Sequence, residues 1–222
     1  MTEAPAAIVD FIGEWTLDVT LVTRAEVPVL GDFVTRTRSI AAVRLEVRDG
    51  RLWQSQRVCS STLNDGRGIV RTLIPPTFIA ALPVASFPVT LNPTAEGWSY
   101  AADFGRQVLG WDGIGTLPTA AEPTRLRDDD GDGHPGVTVR VEAPFVGTGE
   151  VYVVQAGRTL VTGAWDGAAI RGTVTVPELA QSVVGASSKM LLHGPTVTPA
   201  ADPGWFRLTP GAPAGCAAPR AG

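Results

Sequence analysis

The sequence predicts a mainly β fold, an antiparallel up-and-down β-barrel with one or two short helices, with a β-sandwich as the alternative. Three observations carry that reading. The 25 glycines and 18 prolines sit among many Val and Thr, a composition that favours short turns and strands over helices. Apolar residues recur at every second position over long stretches, the period of a half-buried strand. Asp-Gly dipeptides at 49–50 and 166–167 interrupt those stretches, and both tolerate the positive φ that a two-residue hairpin turn requires. With 44% hydrophobic residues in 222, the chain can bury a sizeable core. The expected organisation is one domain over 1–210 and a Gly/Pro/Ala-rich tail over 211–222.

After an apolar lead, Gly13-Glu14-Trp15 opens a strand with Trp15, Leu17, Val19 and Leu21 on one face. From Phe33 to Arg48 the alternation runs on, with Thr35, Thr37, Ser39, Ala41, Val43, Leu45 and Val47 on the buried parity. Some fifteen residues at ~3.3 Å each span roughly 50 Å, so this strand must bend or hold a bulge. Long curled strands of this kind belong to barrels. The return strand is Arg51–Leu63, Asn64-Asp65-Gly66 turns the chain, and Gly68–Ile74 is a further strand ended by Pro75-Pro76. A short helix or apolar loop is expected over Thr77–Leu82, then strands at Pro88–Asn92, Gly97–Phe104, Gln107–Trp111, Val137–Phe145, Glu150–Gln155, Arg158–Trp165 and Ala168–Val176. Pro177 at the start and Gly185 past the end frame a brief helix, and a last strand is expected over Lys189–His193.

Charge narrows the partners. The net charge is −4 and no basic block is present, so the footprint of nucleic-acid binding is missing. No stretch approaches the ~20 apolar residues of a transmembrane segment. Of 18 basic residues only Lys189 is lysine, a usage of the kind a GC-rich bacterial genome produces. Met1-Thr2-Glu3-Ala4-Pro5 has neither the basic start nor the apolar run of a signal peptide, and reads as a mature form with an added initiator Met.

The segment 128–136 places Asp128, Asp130 and Asp132 at the 1, 3, 5 spacing of a calcium loop, with Gly133 at the sharp sixth position. Carboxylates so close repel one another unless a cation sits among them. Position twelve is Val139 rather than the bidentate Glu of an EF-hand, so the loop resembles the DxDxDG loops of extracellular modules, with affinity of about 10⁻⁴–10⁻³ M. His134 is a loop residue whose backbone carbonyl falls at the seventh position. A solvated acidic turn is the other reading of this segment. Cys59 and Cys216 are too far apart in sequence for a zinc or redox CxxC motif. They are either free buried thiols or a disulfide, and the calcium-type loop, with its oxidising exterior, favours the bridge.

The run Val9-Asp10-Phe11-Ile12-Gly13-Glu14-Trp15 resembles the start of a lipocalin (calycin), a helical turn leading into GxW on the first strand. The resemblance implies that Trp15 closes one end of a barrel and that Arg207, near the last strand, packs against it. It also implies a helix after the barrel, over 177–184, and a C-terminal segment tied to a barrel strand by Cys59 and Cys216.

Catalytic chemistry finds little support. Two histidines, His134 and His193, are the only candidate imidazole bases, and no HExxH, P-loop or GxGxxG is present. Asp18, Asp103 and Glu142 cannot be paired as glycosidase carboxylates from sequence, and Asp18 and Glu142 fall on polar parities. Most of the six tryptophans are expected in the core. The remaining opportunity is the barrel interior. Hydroxyls at Thr35, Thr37 and Ser39, apolar walls at Val43 and Leu45, and a lid with Phe78 and Leu82 describe a pocket for a small hydrophobic ligand. The expectation is therefore a secreted or periplasmic bacterial binding protein with a structural calcium. The alternatives are a barrel enzyme of the isomerase or cyclase kind, and a calcium-braced sandwich binding glycans or proteins.

Overall fold

A computed structural model describes residues 10–27, 31–65, 71–143, 147–192 and 194–220. The strands are β1 (Gly13–Val27), β2 (Gly31–Arg48), β3 (Arg51–Asn64), β4 (Arg71–Leu73), β5 (Ala85–Thr94), β6 (Gly97–Leu109), β7 (Val137–Ala143), β8 (Gly147–Trp165), β9 (Ile170–Ala186), β10 (Thr196–Pro199) and β11 (Gly204–Pro210). A short helix, α1 (Pro76–Ala81), lies between β4 and β5. The hydrogen-bonded order β8-β6-β5-β3-β2-β1-β11-β9 returns to its origin because β8 also pairs with β9. All these pairings are antiparallel. The sheet is a ring and barrel-like, with strands running up and down in chain order. Two stacked sheets, the sandwich alternative, would need free edges where β8 and β9 instead pair over most of their length.

Alternation decides which side chains point inward. Trp15, Leu17 and Val19 of β1, Ala41, Val43 and Leu45 of β2, and Phe206 and Leu208 of β11 share one buried core. Asp49 and Gly50 take φ of 49° and 73°, the positive values that the hairpin joining β2 to β3 requires.

Three strands break their register at one level of the ring. Cys59 is an extra residue in β3, since Ile40 faces Ser60 and Ala41 faces Val58. In β6, Asp103 and Arg106 face Leu160 and Arg158 of β8. In β9, Thr175 and Glu178 face the same two residues. Each extra residue bends its strand and shifts the inward parity by one. In β6 the inward residues change from Tyr100 and Ala102 to Gln107 and Leu109; in β3 they change from Leu52 and Gln54 to Ser61 and Leu63. This belt of bulges divides the ring into a closed half and a wider half.

The closed half ends in aromatics. Trp15 packs between Phe11 and Trp165, with ring centroids 6.2 and 5.8 Å away, and its indole N–H donates to the Phe11 carbonyl at 2.9 Å. Arg207 does not take the place the lipocalin resemblance gives it. It points outward on β11, opposite Asp18 and Arg171, because Phe206 and Leu208 hold the inward parity. Aromatic rings cover Trp15 instead.

Two further expectations give way. Residues 177–184 continue β9 as strand rather than forming a helix. Pro177 sits in the bulge, where a missing N–H costs no ladder bond. Gly185 leaves space for the Tyr152 ring, since a Cβ there would lie 2.6 Å from Tyr152 Cδ2. Residues 189–191 form a 3₁₀ turn rather than a strand. His193 and Gly66 lie outside the described residues. Beyond β11 the chain crosses the outer face of β1, β2 and β3: Gly211 bonds Glu14 and Thr16, the Pro219 carbonyl accepts from Arg44 Nε at 2.8 Å, and Cys216 is disulfide-bonded to Cys59.

Candidate functional site

The wider half encloses a cavity of about 310 Å³. That lies at the small end of ligand pockets, roughly 300–1,000 Å³. It exists because the bulges let strands diverge while short strands fill the gaps between them: β10 pairs with β1, and β7 with β8 and β4. The ladder of β3 with β5 covers only Trp53–Gln56, so the rest of β3 is approached by β4 and by α1, which also touches β7.

Most of the wall is apolar, from Leu21, Ala25, Phe33, Val139, Val141 and Val151. Two hydroxyl pairs are self-satisfied, Thr23 with Thr35 at 2.6 Å and Ser39 donating to Ser61 at 3.0 Å. Nearest the bulge belt the wall turns polar, with Thr37 on β2 and Gln107, Gln155 and Gln181 on the adjacent strands β6, β8 and β9. Gln155 stands directly opposite Gln181, and Gln107 opposite Gly157, which has no side chain to compete for the space. Arg158 and Asp65 also line the chamber. Arg158 is held by Asp103, whose carboxyl is kept below its ordinary value by that guanidinium and by the Gly105 amide. Beneath the belt lies a buried polar chain in which the Tyr100 hydroxyl donates to Gln54 at 2.6 Å and Gln54 to Gln56 at 2.9 Å. Burial pushes the Tyr100 hydroxyl far above its ordinary value, so it is a fixed donor.

The predicted pocket residues separate. Thr35, Thr37 and Phe78 line the cavity. Ser39 reaches it only through Ser61. Val43 and Leu45 are fully buried in the closed half, below the belt, and pack the core instead of facing a void. Leu82 lies outside the ring, in a groove with Ile79, Val84 and Cys59, because α1 turns only Phe78 inward. The glutamines escaped sequence reasoning for identifiable reasons. Gln181 lies in the segment expected to be a helix, Gln107 opens a stretch that the sequence presents as a strand of its own but that the bulge joins to 97–104, and Gln155 is one polar residue on an apolar face. That last mismatch was the available signal.

The acidic loop joins the cavity wall from outside. Ligand oxygens of Asp128, Asp130 and Asp132 all lie within 4.8 Å of one another, so this group can hold a metal ion. Asp128 accepts the amides of Gly131, Asp132 and Gly133 at 2.7, 3.1 and 2.9 Å, which wraps the loop around its carboxylate and holds its pKa below the ordinary value. Asp132 accepts the His134 amide and the Thr138 hydroxyl. Asp130 accepts the Thr138 amide through Oδ2, while its Oδ1 is buried with no hydrogen-bond partner. Burial, then the charges of Asp132 and Asp128, push the Asp130 carboxyl above its ordinary value. A cation or a proton relieves that arrangement. The donor set is all oxygen, as calcium prefers. The His134 ring is not directed at the carboxylates but stacks on Tyr152, centroids 4.1 Å apart. Gly136, with φ of 94°, fixes the loop close to β8: a Cβ there would meet the Val153 carbonyl at 2.5 Å.

Trp111 anchors the start of this long connection, buried beneath Arg106 and Arg125 at 5.4 Å each. Trp98 and Trp165 join the closed-end cluster, whereas Trp205 is 45% exposed. The site thus defines a class: a barrel-like antiparallel ring, closed at one end and hollow at the other. Neither family models, nor curated proteins, nor solved structures give a match to this chain. No described helix is long and apolar enough to cross a membrane.

Proposed function

We propose that this is a lipocalin-like bacterial protein, secreted or periplasmic, that holds a small hydrophobic molecule in the hollow half of its ring. The observation that carries this reading is the cavity itself: an apolar chamber above a packed core, with a few polar groups at one end. Thr35, Thr37 and Phe78 are the sequence-predicted residues that would touch the ligand, and Val43 and Leu45 would support the floor beneath it. Calcium at Asp128, Asp130 and Asp132 would act as a brace, since the loop lies outside the chamber and reaches it through β7. The Cys59–Cys216 disulfide is consistent with an extracellular location.

The test is organic extraction and native mass spectrometry of purified protein, with Val141→Trp as the control that fills the chamber. A lipophile that co-purifies with the wild type and is lost from the folded variant is the expected result. An interior that takes up no apolar compound in either protein would overturn the proposal. Chemical conversion of the bound compound on incubation would instead favour the isomerase or cyclase reading.

A further inference from the structure

We infer that the ligand is an amphiphile with an uncharged polar end, a hydroxyl or carbonyl, which docks on Gln107, Gln155 and Gln181. This rests on the cavity-binding reading and adds the chemical class of the ligand. The three amides occupy neighbouring strands at the belt end of the chamber, while Val139 and Val141 line the wall further along. None of the three side chains forms a hydrogen bond with another described residue. Each therefore keeps both its donor and acceptor capacity, a combination that matches a hydroxyl or carbonyl.

A carboxylate or phosphate would need a cation here. The cation that lines the chamber, Arg158, is already bonded to Asp103 by two contacts of 3.1 Å and lies 3.7 Å from Glu178, so two acids offset its charge, and the other charged lining residue, Asp65, is itself an acid. Burying an anion against amides and a guanidinium already neutralised by acids is strongly unfavourable. A wholly apolar guest would leave the half-buried amides of Gln155 and Gln181 dehydrated and unpaired, which is also unfavourable. The neutral amphiphile satisfies both conditions.

The experiment uses the full chain and N-phenyl-1-naphthylamine, an uncharged fluorescent probe, with 1-decanol and decanoate as competitors at a pH where decanoate is ionised. Decanol should displace the probe at least about tenfold more tightly than decanoate. The double variant Gln155→Leu/Gln181→Leu should keep probe binding and lose about tenfold in decanol affinity, the scale of one or two hydrogen bonds. Gln107→Met repeats the measurement should the paired leucines disturb folding. Decanoate binding as well as decanol, or unchanged decanol affinity in variants that still bind probe, would overturn the inference. Failure of the wild type to bind the probe would refute the cavity reading itself.

Discussion

Asp130 Oδ2 accepts the backbone amide of Thr138 at 2.8 Å, so the acidic loop is bonded to the residue that precedes the cavity-facing Val139 on β7. Anything that changes the charge on Asp130 acts on a strand that walls the chamber.

Calcium is accordingly expected to stabilise the protein. For a dissociation constant of ~10⁻⁴–10⁻³ M, ~10 mM calcium contributes roughly 1.4–2.7 kcal/mol, or about 3–10 °C in Tm for a chain of this length. Differential scanning fluorimetry with calcium or chelator measures it. Asp130→Ala should abolish the increment, and an equal Tm with and without chelator in the wild type would count against the ion.

The same carboxylate gives a pH signature. Its folded pKa is raised, so between its unfolded value near ~4 and its folded value the native state binds more protons than the unfolded chain. In chelator this group therefore favours folding at low pH, and that contribution is lost as pH rises through the window. Asp130→Asn keeps an acceptor for the Thr138 amide and removes the charge. It should raise Tm in chelator at neutral pH and remove the calcium response. A fall in Tm in chelator would show that the burial argument is wrong.

Much of this was legible in the sequence because it is local. The DxDxDG spacing, the Asp49-Gly50 turn and the parity of Thr35 and Thr37 depend on a few neighbouring residues. The bulges are different. Cys59, Gly105 and Pro177 take their meaning from partners on other strands, and each bulge reverses every parity beyond it. Gln107 and Gln181 therefore carry no local mark of facing a cavity, and Pro177 has the local features of a helix start, whereas Val43 and Leu45 share the parity of Thr35 and Thr37. An unbroken alternation along β2 cannot show where the ring stops being packed and becomes hollow.

The two halves should respond differently to truncation. Leu45→Ala, in the closed core, is expected to cost about 2–5 kcal/mol in urea unfolding. Val139→Ala, whose side chain already borders a void, should cost about 1 kcal/mol and change probe binding instead. Equal losses at the two positions would contradict the division of the ring.

The disulfide closes a sequence separation of 157 residues, and native bridges of this kind typically contribute about 2–4 kcal/mol. Cys59→Ser/Cys216→Ser should lower the urea midpoint accordingly and make the segment after Pro210 susceptible to protease. The Gly211 bonds to Glu14 and Thr16 hold only the start of the segment, and the Arg44 bond to the Pro219 carbonyl is too weak to hold its end. A tail that stays protected in the double variant would show that its non-covalent contacts suffice.

Exchange of the guest should run past α1. Ser61 and Ile74 border both the chamber and the outer groove beside Cys59, at the edge of β3 that β5 leaves uncovered. Opening there needs α1 to move, and α1 has no side-chain cap and no buried residue to hold it. Ile74→Ala should therefore speed both binding and release of N-phenyl-1-naphthylamine several-fold in stopped-flow measurements, leaving the equilibrium constant nearly unchanged, because a thinner gate lowers the barrier equally in both directions. Ile74→Trp should slow both. Altered affinity at constant association rate would mean that Ile74 is a wall contact, and that the guest enters at the open end of the ring.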